Sequence, residues 1–184
     1  MGDERGRLLA LLTRLSYQRR KVTLSSGKES DFYIDCKRTT LTAEGHYLVG
    51  KLLLAEVQRV CPEAQAVGGL TLGADPMVSA VSLTSHLANH PIDGFIIRKE
   101  PKGHGTNQWI EGREHWAVGT PVAILEDVVT TGASTLRAIE RSTAAGLKVV
   151  GTFALVDRQE GGREAVEASG HPLTALFSRT DFIS

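Results

Sequence analysis

Cysteine is scarce in this sequence. Cys36 and Cys61 are the only two among 184 residues, and they have neither the spacing of a metal-ligand set nor the density of a secreted disulfide framework. Both read as packing residues, and their use fits a reducing cytoplasm, the compartment expected for the chain. Long apolar runs are missing too. Nothing approaches the roughly 20 apolar residues of a membrane-spanning helix, so no membrane partner is expected. A surplus of either charge is absent: 21 Lys and Arg face 21 Asp and Glu, which leaves no overall field to draw the chain to nucleic acid. Any anion site must therefore be local. Repeats and low-complexity tracts are lacking, and the charges around the short leucine patch in Met1 to Arg20 read as an amphipathic helix and not as a secretion signal.

At 41% hydrophobic content the chain can bury one good core and is too short for two comfortable domains, so a single domain over residues 1–184 is expected. Between Thr42 and Val60, the residues Leu48, Leu52, Leu53 and Val57 recur at helical spacing, and Pro62 follows as a stop. Apolar segments at Ala66 to Gly69, Gly94 to Ile97, Val122 to Leu125, Val149 to Val156 and Leu173 to Phe177 then alternate with helix candidates near Ala74 to Ala88, Ala133 to Ala145 and Arg163 to Ser169. That alternation predicts an α/β fold, a mostly parallel twisted sheet flanked by helices. Residues 1 to about 40 stand outside it and are expected to form a small N-terminal cap.

Ligands of open parallel sheets sit beyond the carboxyl ends of the strands. Four stretches there are unusual: Gly68-Gly-Leu-Thr-Leu-Gly73, a loop able to bring its backbone against an anion; Arg98-Lys-Glu-Pro-Lys-Gly-His-Gly105; Glu126-Asp127 with the turn after it; and Asp157-Arg-Gln-Glu160. The third is the most informative. An apolar strand, Val122 to Leu125, is expected to end at two carboxylates. Val128, Val129, Thr130, Thr131, Gly132, Ala133 and Ser134 then lead into a helix whose unpaired N–H groups and dipole favour a phosphate.

The segment resembles the ribose-phosphate signature of the type I phosphoribosyltransferases, which use phosphoribosyl pyrophosphate (PRPP). Displacing pyrophosphate from C1 of the ribose builds positive charge on the sugar and negative charge on the leaving group. Glu126 and Asp127 would hold the ribose hydroxyls and favour the cationic ring. Mg²⁺, carried mainly by the pyrophosphate, would stabilise the departing group together with Arg98, Lys99 and Lys102. His104 would add a hydrogen bond, and the long segment between Arg98 and Thr120, of weak periodicity, would act as a lid that excludes water. Arg158 offers a two-pronged donor suited to an anionic base. The alternative for Arg158 is a salt bridge to Asp157, Glu160 or another acid.

Leu24-Ser-Ser-Gly-Lys-Glu-Ser-Asp-Phe-Tyr-Ile-Asp35, Arg98 to Gly105, Glu126 to Gly132 and Asp157 to Glu160 together make a four-part pattern that is similar to the orotate phosphoribosyltransferase family across nearly the whole chain. Arg-Lys-x-x-Lys-x-His-Gly is its discriminating part. The resemblance implies transfer of the phosphoribosyl group from PRPP to orotate, giving orotidine 5'-phosphate and pyrophosphate in UMP biosynthesis. It implies Lys102 and Asp127 as catalytic residues and pyrophosphate contacts from Arg98, Lys99, Lys102 and His104. Ribose and 5-phosphate contacts are implied from Glu126 through Ser134, and base contacts from Tyr33, Ile34, Thr130 and Arg158. It further implies a homodimer in which residues 99–116 reach the neighbouring subunit's site. Two departures bear on ligand affinity. Many relatives have lysine where this chain has Ser25, so the role of that lysine is either missing or taken by Lys28; some have lysine where it has Gly73. A purine enzyme of the same fold would be expected to stack an aromatic residue on the base near the last strand, and none occurs between Asp157 and Gly170. A transcriptional regulator on this fold would need a basic face or a DNA-binding domain, and the neutral balance and short length speak against both.

Overall fold

The computed structural model describes residues 2–23, 29–101, 109–112 and 115–183. The chain opens with helix α1 (Gly2–Leu15), strands β1 (Tyr17–Thr23) and β2 (Glu29–Ile34), the short α2 (Lys37–Thr40) and the long α3 (Ala43–Val60). The α/β part follows: β3 (Ala66–Leu70), α4 (Asp75–Leu87), β4 (Asp93–Ile97), β5 (Ile110–Glu111), β6 (Pro121–Val129), α5 (Ala133–Ala144), β7 (Lys148–Asp157), α6 (Gly162–Ala168) and β8 (Leu173–Ser178). Local chemistry explains several boundaries. Thr42 caps α3 by accepting the Gly45 N–H at 3.1 Å, a role for which a hydroxyl in extended backbone is suited. Gly146, at a φ of 83°, takes the left-handed position just past α5.

Six strands form one sheet in the order β5-β4-β3-β6-β7-β8. All its pairings are parallel except that of β5 with β4. After β3 the chain winds toward β4, and after β6 it winds the other way toward β7. The crevice between the ends of β3 and β6 is thus the switch point at which open α/β sheets bind ligands. One face of the sheet packs Val67, Ala123, Leu125, Phe153 and Leu155 against Leu8 and Leu12 of α1, Leu48, Leu53 and Val57 of α3 and Met77 of α4. The other face packs Ile97, Ile124 and Ala154 against Ala138 and Ile139 of α5 and Val166 of α6.

The N-terminal region forms its own antiparallel pair, β1 with β2. It is tied to the rest by α1 in the shared core and by a cluster of Tyr17, Phe32 and Phe182 rings, with centroids 4.9–5.7 Å apart. Three expectations need correction. The anion-facing loop starts only after Leu70: Gly68 and Gly69 belong to β3, as the apolar segment Ala66 to Gly69 implies, and are sites of close packing, where a Cβ on Gly68 would meet the Phe95 ring at 2.4 Å and one on Gly69 the Leu125 carbonyl oxygen at 2.2 Å. Strand β6 does not end at the acidic pair; it runs on to Val129 because β7 continues to pair with it as far as Asp157. The span from Arg98 to Thr120 contains strand β5, whose Ile110 is buried at the sheet edge, and Trp116 stands edge-on to Phe95 at 5.7 Å.

Candidate active site

The end of strand β6 and the first turn of α5 enclose a cavity of about 300 Å³ lined by Glu126, Val128, Val129, Thr130, Thr131, Gly132, Ala133, Ser134, Thr135 and Arg137. Gly132 sits at a φ of 79° and no side chain caps α5, so the N–H groups of the first turn are left for an anion. The turn is buttressed from outside. A Cβ on Gly162 would fall 2.5 Å from the Thr130 carbonyl oxygen and 2.9 Å from the Gly132 nitrogen, so the start of α6 can lie against the loop only as glycine.

Glu126 is buried at 6% exposure, and its carboxyl accepts the Thr135 hydroxyl at 3.3 Å. Burial first, and the adjacent Asp127 second, push its pKa up to about 8. Asp127 is less enclosed. Its Oδ1 accepts the Val128 N–H at 3.0 Å, and its carboxylate lies over Gly73 so closely that a Cβ there would be 2.3 Å from Oδ1. Gly73 and Asp127 therefore face each other across the switch-point crevice.

The cap reaches the same place. Cys36 Sγ lies 3.8 Å from the Asp127 carbonyl, and burial, followed by Asp127 and Asp35, pushes its thiol well above the ordinary range. Lys37 pairs with Asp35 at 2.7 Å; that hydrogen bond, with smaller contributions from both carboxylates, holds its ammonium above its usual pKa. Sequence spacing carried no signal that Asp35 and Lys37 would stand beside Asp127. Arg137 and Thr135 were also missed, although Arg137 lies one helical turn after Ser134 and so on the same face.

Arg158 follows β7 beside the loop, its backbone N–H donating to the Val129 carbonyl at 2.9 Å. Its guanidinium, 8% exposed, pairs with Glu160 at 2.9 Å and donates to the Phe32 carbonyl at 2.9 Å. The salt bridge that the sequence left open is thus formed with Glu160, while Asp157 pairs with Arg163 at 3.0 Å. Tyr33, half-buried on β2, is the residue after that carbonyl, so the backbone of β2 at Tyr33 adjoins Arg158.

Arg98 follows β4 and pairs with Glu111 at 3.2 Å, and Lys99 is exposed. Lys102 and His104 lie outside the described residues, as do Ser25 and Lys28. Among the described residues no group of three or more His, Cys, Asp or Glu is placed to hold a metal ion, and no helix is long and apolar enough to cross a membrane.

No family model matches the chain. It is similar to the orotate phosphoribosyltransferase of Sorangium cellulosum, 53% identical over 181 residues that make up 98% of this chain and 94% of that one. The orotate phosphoribosyltransferase of Thermosynechococcus vestitus is 50% identical over the same 98% and 94%. The crystal structure of Mycobacterium tuberculosis orotate phosphoribosyltransferase in complex with 5-phospho-alpha-D-ribosyl 1-diphosphate has a TM-score of 0.79 at 37% identity and covers 98% of this chain and 99% of that one.

Proposed function

The chain belongs to the orotate phosphoribosyltransferase family, and we propose that it transfers the phosphoribosyl group from PRPP to orotate, releasing pyrophosphate and orotidine 5'-phosphate. The observation that carries this reading is the cavity at the β6–α5 turn, whose uncapped N–H groups suit the 5-phosphate of the donor. Glu126 in its lining and Asp127 next to it in β6 hold the ribose hydroxyls, and negative charge there favours the positive ring as the bond to pyrophosphate breaks. Arg98 and Lys99 bind the pyrophosphate together with Lys102, the proposed catalytic lysine, and His104. Thr130, Tyr33 and Arg158 contact orotate, a reading supported by the meeting of β2 and Arg158 at the edge of the site.

Mg²⁺ would be carried mainly by the pyrophosphate of PRPP, whose oxygen donors suit a hard cation. When bound, Mg²⁺ would neutralise charge on the leaving group. The residues themselves position the sugar and exclude water from it. We read residues 1–184 as one domain with residues 1 to about 40 as its cap, in keeping with the shared core of α1 and α3. We also read the protein as a cytoplasmic homodimer in which residues 99–116 reach the neighbouring subunit's site. Leu83, Leu87 and Ile96, exposed along α4 and β4, offer the apolar surface that an association between copies needs.

The test is loss of orotate absorbance with purified protein, PRPP and Mg²⁺. Turnover that falls by at least about a hundredfold in Lys102→Ala and in Asp127→Asn is expected. Turnover with a purine base instead of orotate would overturn the acceptor, and retained activity in Asp127→Asn would overturn its role.

A further inference from the structure

Arg141, in the last turn of α5, reaches across to the segment that carries the proposed pyrophosphate ligands. Its Nη1 donates to the Arg98 carbonyl and its Nη2 to the Lys99 carbonyl at 3.3 Å. The guanidinium lies 3.8 Å from the centre of the Trp109 ring, a distance at which a cation is held by the ring face. Trp109 is in turn tied to Arg98, whose N–H donates to the Trp109 carbonyl at 2.8 Å. One side chain therefore fastens both the start of this segment, at residues 98–99, and its return, at residue 109.

The helix that carries Arg141 also begins at the phosphate cavity. Helix α5 starts at Ala133, and eight residues of helical rise place Arg141 about 12 Å along a rigid rod from it. We propose that Arg141 is a positioning residue that sets the pyrophosphate-binding backbone at Arg98 and Lys99 in fixed relation to the 5-phosphate loop at 130–135. The segment that carries the pyrophosphate ligands then leaves the body of its subunit from a fixed base. The proposal rests on the reading of Lys99 as a pyrophosphate ligand. Arginine is required for geometric reasons: its planar fork serves two carbonyls and stacks on an indole, whereas lysine presents one point charge.

Steady-state kinetics on Arg141→Gln, Arg141→Lys, Lys99→Ala and the double variant Arg141→Gln/Lys99→Ala test it, with melting temperatures measured in parallel. A rise of about tenfold in KM for PRPP is expected in both Arg141 variants, with KM for orotate within about twofold of wild type. In the double variant the PRPP defect is expected to be clearly smaller than the product of the two single defects, because both act through the same contact. Equal changes in the two KM values, multiplicative defects or full rescue by lysine would each overturn the proposal. If Lys99→Ala binds PRPP normally, the pyrophosphate reading itself falls and the proposal falls with it; a Lys99 defect beside a silent Arg141 sinks the proposal alone. Should Arg141→Gln fail to fold, Trp109→Leu reads the same coupling from the ring side: a selective rise in KM for PRPP supports it and an unchanged KM overturns it.

Discussion

Glu126 is an acid whose surroundings oppose its charge. Its pKa is raised from 4.5 to about 8, by burial first and by Asp127 second, so the folded protein holds a proton that the unfolded chain releases at lower pH. The sign follows from that difference: the stability contribution is fully present below pH 4.5 and is lost progressively as pH rises to about 8, with a slope of at most about 1.4 kcal/mol per pH unit. Glu126→Gln removes the titrating group while keeping an acceptor for the Thr135 hydroxyl. In the absence of ligands, the melting temperature of the parent is expected to fall more steeply between pH 5 and pH 8 than that of the variant. Parallel curves would show that Glu126 is ionised throughout. Because a cationic sugar favours the ionised carboxylate, the same group is expected to release its proton as the donor binds, which calorimetry in two buffers of different ionisation heat detects as a buffer-dependent heat.

At the level of elements, the contact between the α6 start and the β6–α5 turn makes a distinction between adjacent glycines. Gly162→Ala would press a methyl against the Thr130 carbonyl and the Gly132 nitrogen, at a cost of about 1–3 kcal/mol. It is expected to raise KM for PRPP by displacing the loop. Gly161, at a φ of 90° with open space around its Cα, is different. Gly161→Ala costs about 1–2 kcal/mol of backbone strain and should lower the melting temperature while leaving KM for PRPP near its starting value. Similar KM effects in the two variants would mean that the contact does not hold the loop. Such contacts also mark where sequence reading stops. The alternation of apolar segments and helix patterns from Ala66 to Phe177 was legible because strand and helix periods are local. The cavity at 126–134 was legible because acids, hydroxyls and glycine follow one another in the chain. That Gly162 supports the loop, that Lys37 approaches Asp127, or that Glu160 takes Arg158 depends on strand order and register, which no local spacing encodes. The acidic pair misled in a small way for the same reason: β6 continues past it only because β7 is there to pair.

For the whole molecule, the proposed exchange of residues 99–116 between subunits has a test that needs no structure of the dimer. Lys102→Ala would spoil the segment a subunit lends, and Asp127→Asn the site it keeps. If lending occurs across a two-fold interface, random re-association of the two inactive proteins restores about a quarter of the sites, and activity should rise toward that level on mixing. No gain beyond the sum of the two separate proteins would show that each chain completes its own site or that the dimer does not exchange. The switch-point geometry bears on this, because the ends of β3 and β6 open toward the same side as residues 98–99.

Gly73 closes the crevice opposite Asp127 with only 2.3 Å between its would-be Cβ and the carboxylate. Positions 73 and 127 are thus not free to vary independently. A side chain installed at residue 73, such as the lysine that some relatives carry there, would meet the movable end of Asp127, and the acid would turn aside to admit it. The residue at position 73 thus helps to set the rotamer of the acid, and with it the direction in which the carboxylate faces the crevice.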